Sequence, residues 1–161
     1  MQHANPDRTA ALVEAIGRKF ETDGYPRTAG RMVGFLLLSE HPYSLDELAD
    51  ELKVSKGSVS GNARMLDRLG VLQRVTRPGD RRDYYRLADD LHLRMVELKR
   101  QKLERTRELL REALDTTPPP DVRNRLRRYH DFFDYLVTEV RKVEQSARMR
   151  EPNSTTEDPI R

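Results

Sequence analysis

The stretch from Ser44 to Leu87, SLDELADELKVSKGSVSGNARMLDRLGVLQRVTRPGDRRDYYRL, leaves fewer folding options than any other part of the chain. Ser44, with Glu47 three residues on, has the spacing of a capping box at a helix start. Leu45, Leu48, Ala49 and Leu52 then recur at helical spacing. Lys53-Val54 interrupts the pattern, and Ser55 is placed to cap a second helix. Val59, Ala63, Leu66 and Leu69 or Gly70 form the inward face of that helix, with Gly70 as its left-handed stop. Strand signals follow at Leu72 to Thr76 and Arg82 to Leu87, around the loop Arg77-Pro78-Gly79-Asp80-Arg81. Tyr85 and Leu87 alternate against Tyr84 and Arg86, which predicts one tyrosine packed inward and the other facing out. Helix, tight turn, helix and hairpin in this order make a winged helix-turn-helix, a module that puts its second helix in the DNA major groove.

The second helix of the module carries the sharpest chemistry. Opposite its apolar side lie Gly57, Ser60, Gly61, Arg64 and Arg68, with Lys56 and Asn62 on the flanks. A glycine inside a helix costs roughly 1 kcal/mol relative to alanine. Two of them one turn apart point to a face that another surface must approach closely. Ser55, Ser58 and Ser60, with the helix N-terminus, suit phosphate oxygens. Arg64 suits guanine edges and Asn62 adenine. In the hairpin loop, Arg77, Arg81 and Arg82 suit the narrow minor groove. Asp80 suits holding a neighbouring arginine, Arg82 above all, in one orientation. The competing reading of both features is ordinary solvated surface. Charge favours contact with DNA. From Lys53 to Arg86 nine basic residues stand against three acids, a local excess of six in a chain whose net charge is +3.

The remaining segments read as helices around this module. Pro6 suits the first position of an N-terminal helix capped by Asn5, with Leu12, Val13, Ile16 and Phe20 on one face and Gly24 and Pro26 ending it. A helix from about Thr28 to Ser39 is apolar nearly all round, through Met32, Val33, Phe35, Leu36, Leu37 and Leu38, and belongs at the centre of a domain. Gly30 and Gly34 give it one bare side for a neighbouring backbone. A long helix is expected from about Asp89 to Leu114, then a break at DTTPPP, then a last helix from about Asp121 to Ala147. In that last helix Val122, Leu126, Tyr129, Phe133, Leu136, Val140 and Val143 alternate spacings of four and three, a heptad seam that calls for a partner helix. Hydrophobic and charged residues are nearly balanced at 36% and 35%, which suits long solvated helices better than a single compact globule. The expected plan is mainly α. Residues 1–27 form an N-terminal helix that braces the dimer. Residues 28–88 form the winged helix-turn-helix with a small β-hairpin wing. Residues 89–147 form a two-helix dimerisation arm, and residues 148–161 a disordered tail.

Several function classes are disfavoured. The chain has no cysteine, so disulfides, thiolate zinc sites and thiol redox sensing are excluded. His3, His41, His92 and His130 are scattered without metal-ligand spacing, and no metal or other cofactor is expected. No nucleophile elbow or phosphate-binding glycine loop appears, so no catalytic residue is assigned. No apolar run approaches a membrane span and the amino terminus lacks a signal-peptide pattern, which makes a cytoplasmic protein the expectation. Phe132 and Tyr135 lie off the heptad seam and are candidate contacts for a small effector, although packing against another surface is the favoured reading.

The residues VSKGSVSGNARMLDRLGVLQRV and RPGDRRDYYRL resemble MarR-type regulators, whose wing carries the Asp-x-Arg pattern present here as Asp80-Arg81-Arg82. GYPRTAGRMVGFLLLSEHPYSLDELADEL is similar to the GbsR-like branch. The resemblance covers about Gly24 to Leu87 and implies a homodimeric, ligand-responsive transcription regulator, commonly a repressor, that binds double-stranded DNA. The expected function is therefore sequence-specific binding to a pseudo-palindromic operator, with release by a small effector of unassigned identity. The main alternative is an interaction adaptor whose winged helix binds protein. A DNA-organising protein without an effector is a third reading.

Overall fold

A computed structural model describes residues 6–150. The expected cap at Asn5, with the four residues before it, lies outside the described residues. The chain forms two compact units that divide at Leu91 and His92.

The first unit contains α1 (Pro6–Thr22), α2 (Arg27–Leu37), β1 (Tyr43–Ser44), α3 (Leu45–Leu52), α4 (Lys56–Arg68), β2 (Leu72–Val75) and β3 (Tyr84–Leu87). α2 is its centre. Ala29, Gly30, Met32, Val33, Gly34 and Leu36 are buried, and the helix meets α1, α3, α4 and β3. The bare glycine side is where α1 lies. A Cβ at Gly30 would sit 2.7 Å from the Ile16 carbonyl oxygen, and one at Gly34 would sit 3.1 Å from the Val13 Cα. The apolar sweep of α2 is nevertheless incomplete. The helix ends at Leu37, and Leu37 and Leu38 are exposed. On α1, Val13 and Phe20 are buried as their spacing predicts, whereas Leu12 is exposed.

The start of α3 has the capping box. The Ser44 side chain accepts from the Glu47 N–H at 3.3 Å, and Glu47 Oε2 accepts from the Ser44 N–H at 2.7 Å. These Ser44 hydrogen bonds hold the Glu47 carboxyl below its ordinary value. α3 ends at Lys53, in the left-handed region with φ of 52°, and the Val54 N–H donates to the Ala49 carbonyl at 3.0 Å. That is the tight turn between the two helices. Ser55 caps α4 by accepting from the Ser58 N–H at 3.2 Å, and Val59, Ala63 and Leu66 are buried against the unit. Gly70, at φ of 68°, turns the chain out of α4 as its position predicts.

The sheet has three strands where two were expected, in the order β1-β3-β2 and antiparallel throughout. β1 is only two residues long and pairs Tyr43 with Tyr85 and Ser44 with Tyr84. β3 is therefore central. The expectation for its tyrosines is corrected. Tyr84 and Tyr85 point to opposite faces, yet both are buried, at 1% and 7% exposure. Both faces of β3 are covered, because the hairpin loop folds its arginines over Tyr84.

The second unit continues along α5 (Leu91–Asp115) and α6 (Pro120–Arg150). The helices are antiparallel and bridged by charged side chains. Arg107 pairs with Asp134 at 2.9 Å, Arg141 with Glu104 at 2.7 Å, and Arg100 with Glu144 at 2.9 Å. α6 runs on to Arg150, three residues into the segment expected to be tail, and the rest of that segment lies outside the described residues. No helix among the described residues is long and apolar enough to cross a membrane.

Candidate nucleic-acid interface

α4 and the loop between β2 and β3 carry the predicted contact residues. Lys56, Gly57, Gly61, Arg64 and Arg68 are exposed on α4, while Ser58, Ser60 and Asn62 are half-buried beside them. A Cβ at Gly57 or Gly61 would meet nothing within 4 Å. The fold therefore has no need of glycine at either position, unlike Gly30, and the bare strip is free for another molecule.

Pairing sorts the basic side chains. Among the described residues, Arg64, Arg68 and Arg81 make no ion pair or hydrogen bond, which leaves their full charge to a partner. Lys56 pairs with Asp46 of α3 at 2.9 Å, and that contact raises its pKa. The pair is exposed, and a phosphate can replace the carboxylate at little cost. Asn62 donates from Nδ2 to the Ser58 carbonyl at 2.8 Å, so one of its donors is already spent within α4.

The loop is a clamped structure. Asp80 Oδ2 lies 3.0 Å from Arg82 Nε and 2.7 Å from its Nη2, and Asp80 Oδ1 accepts from the Arg82 backbone N–H at 2.9 Å. The Tyr84 hydroxyl donates to Asp80 Oδ2 at 2.7 Å and accepts from Arg82 Nη2 at the same distance. The Arg82 side chain, then its backbone N–H, then Tyr84 hold the Asp80 carboxyl far below the ordinary carboxylate range. The hydrogen bond to Asp80 pushes the Tyr84 phenol upward.

Arg77 makes contacts within the domain that its loop position did not predict. Its Nη2 donates to the Pro42 carbonyl at 2.6 Å, and its guanidinium lies 3.9 Å from the Tyr84 ring centroid. It is committed inside the domain, tying the loop to the turn before β1. Sequence spacing carries no signal for this contact, because the two residues are 35 apart. Arg31 was missed for the same reason. It meets Glu14 of α1 at 2.7 Å and donates to the Leu52 carbonyl at 2.8 Å, at the end of α3 just before the turn.

In the second unit the heptad residues stay largely uncovered. Tyr129 and Val143 are 58% and 56% exposed, and Val122, Leu126, Phe133, Leu136 and Val140 are half-buried. The residues buried along α6 are Val137 and Glu144, each one position after a seam residue. Phe132 and Tyr135 are also exposed, and Phe132 meets Phe133 edge to face at 5.8 Å. No cluster of three metal-ligating side chains occurs among the described residues.

Known proteins share this architecture. A family model described as MarR family matches residues 23–83. The HTH-type transcriptional regulator MmpR5 of Mycobacterium tuberculosis is 36% identical over 141 residues, covering 83% of this chain and 82% of the relative. The HTH-type transcriptional repressor OpcR of Bacillus subtilis is 29% identical over 87 residues, covering 54% of this chain and 47% of its own length. A crystal structure described as that of a transcriptional regulator superposes with a TM-score of 0.77 at 32% identity, covering 90% of this chain and all of its counterpart. The winged module matches the family model, and the MmpR5 similarity extends well beyond it; the chain belongs to the MarR family of transcriptional regulators.

Proposed function

We propose that the protein is a repressor that binds a pseudo-palindromic operator as a homodimer. α4 lies in the major groove. Gly57 and Gly61 face the base edges, Arg64 and Arg68 supply direct and phosphate contacts, and Ser55, Ser58 and Ser60 with Lys56 and Asn62 complete the contact. The wing adds Arg81 and the clamped Arg82, with Asp80 as support. Arg77 supports the wing from within. One observation carries the reading: the exposed strip of α4 combines two glycines the fold does not need with two arginines that have no partner among the described residues.

The partner protomer docks along α6, on Val122, Leu126, Tyr129, Phe133, Leu136, Val140 and Val143. The exposure of Tyr129 and Val143 in the single chain supports this. Two-fold symmetry then sets the two recognition helices about 34 Å apart, the spacing of successive major grooves. A small effector that binds one spacing better than the other releases the operator, with Phe132 and Tyr135 as candidate contacts. Such a regulator works in the cytoplasm, where its DNA is. The test is selection of bound fragments from the source genome with the purified protein. Recovery of a recurrent two-fold motif supports the proposal. Recovery of no duplex favours an adaptor that uses the module for protein contacts.

A further inference from the structure

Arg31 of α2 ties α1 to α3. Its Nε lies 2.7 Å from Oε1 of Glu14 on α1, and its Nη2 donates to the Leu52 carbonyl at 2.8 Å, at the end of α3. Glu14 uses its other oxygen to accept from Arg27 Nη2 at 2.6 Å, one turn earlier on α2. The Arg27 hydrogen bond, then the Arg31 charge, hold the Glu14 carboxyl below its ordinary value. α1 also makes room for these side chains. Gly17 is buried in the middle of that helix, and a Cβ there would sit 2.7 Å from Arg31 Cγ and 3.3 Å from Arg27 Cγ. A glycine inside a helix costs roughly 1 kcal/mol relative to alanine. Here it opens a notch that the arginine stems cross.

The far end of Arg31 lies at the joint of the helix-turn-helix. The last carbonyls of a helix have no partner within it, and the helix dipole favours a cation beside them. Leu52 carries one of these carbonyls. Only Lys53, at its left-handed φ of 52°, and Val54 separate it from Ser55, the cap of α4. An ion pair as accessible as Arg31–Glu14, with side chains 22% and 33% exposed, contributes little by itself. Its effect is to aim the guanidinium at the carbonyl.

We propose that Arg31 is a positioning residue for DNA recognition, holding the joint between α3 and α4 from a seat that α1 builds with Glu14 and Gly17. This rests on the reading of α4 as the DNA-contacting helix, and goes beyond it by making α1 part of what sets that helix. Arg31 is not itself a DNA contact, because its guanidinium is committed to Glu14 and Leu52. Displacing α1 from α2 takes Glu14 away from Arg31 and frees the joint, which links the N-terminal helix to the DNA-reading one.

The test uses the full-length protein. Arg31→Met keeps a stem beside Gly17 and removes both polar contacts, and Glu14→Gln removes the charge that aims Arg31. Hydrogen exchange at the Val54 amide, which donates to the Ala49 carbonyl at 3.0 Å and closes the turn, reads the joint without DNA. Affinities for the duplex recovered by genomic selection and for an unrelated duplex read recognition. In Arg31→Met the proposal expects Val54 to exchange about 10-fold faster relative to the amide of buried Leu66. It expects the selected duplex to bind about 10-fold more weakly and the unrelated duplex to change by less than about 2-fold. Glu14→Gln should shift both readouts the same way by about 3-fold, and the double variant should match Arg31→Met, because Glu14 acts only through Arg31. Ser44→Ala, which removes the cap at the other end of α3, controls for lost stability and should retain the ratio of the two affinities. Thermal unfolding checks that each variant is folded at the assay temperature. Unchanged relative exchange at Val54, equal losses on the two duplexes, or a Glu14→Gln loss that multiplies with that of Arg31→Met overturns the proposal. A wild type that binds no duplex overturns the reading of α4 instead, and exchange at Val54 still decides whether Arg31 holds the joint.

Discussion

Individual glycines separate what the fold requires from what a partner requires. Gly30→Ala forces a Cβ to within 2.7 Å of the Ile16 carbonyl oxygen and should destabilise the first unit by about 1–3 kcal/mol. Gly57→Ala and Gly61→Ala meet open space and should each stabilise α4, by up to about 1 kcal/mol, while weakening DNA binding. Urea unfolding and DNA titration on the same three variants check both signs. A loss of stability at Gly57 or Gly61 would mean that the fold needs them. Asp80 gives a pH signature. Its folded-state pKa is depressed, so its contribution to stability is complete above the ordinary aspartate value of about 3.9 and is lost progressively as pH falls from there through the lowered value. In a carboxyl-carbon NMR titration Asp80 should remain ionised after exposed aspartates have protonated. The sequence made the Asp80–Arg82 pairing legible, because a short loop brings those side chains together. It could not reveal Arg77 against Pro42, since that contact depends on a fold that joins residues far apart in the chain.

Among the elements, those with strong local signals were the legible ones. The α3 cap, the Lys53 turn, the Ser55 cap and the Gly70 stop each rest on contacts within five residues, and spacing alone identifies them. β1 had no such signal. Two residues are too few to show alternation, and Ser44 reads as a helix cap even while it pairs with Tyr84. One tyrosine was assigned to solvent from alternation alone, because spacing could not show that the hairpin loop folds back over Tyr84. Ser44→Ala should cost about 1 kcal/mol through the lost cap. The second unit offers a sharper contrast. Glu144 is 9% exposed and accepts from Arg100 and Arg148, whereas the Glu139–Lys142 pair is exposed. Glu144→Ala should therefore destabilise the unit, because it removes a buried bridge between α5 and α6 and leaves the half-buried Arg100 to Glu104 alone, and Glu139→Ala should have almost no effect. Circular dichroism melts of the two variants make the comparison.

At the scale of the whole molecule, the proposed function depends on pairing two copies. The heptad seam was legible from spacing alone, but spacing could not say which α6 residues serve the chain itself. The structure buries Val137 and Glu144 and leaves Tyr129 and Val143 uncovered, so the seam is offset from the face that the chain covers by itself. Phe133→Glu or Leu136→Glu should give monomers in sedimentation velocity, with helix content retained; a wild-type protein already monomeric at micromolar concentration would contradict the dimer. The central claim is that α4 and the wing bind duplex DNA through uncommitted arginines. The most direct measurement is the affinity of the wild type and of Arg64→Ala for the selected duplex across a salt series. The account predicts log affinity falling steeply and linearly with log salt for the wild type, and a loss of about 1–3 kcal/mol for Arg64→Ala. Binding that does not depend on salt, or an Arg64→Ala protein that binds as tightly as the wild type, would contradict it.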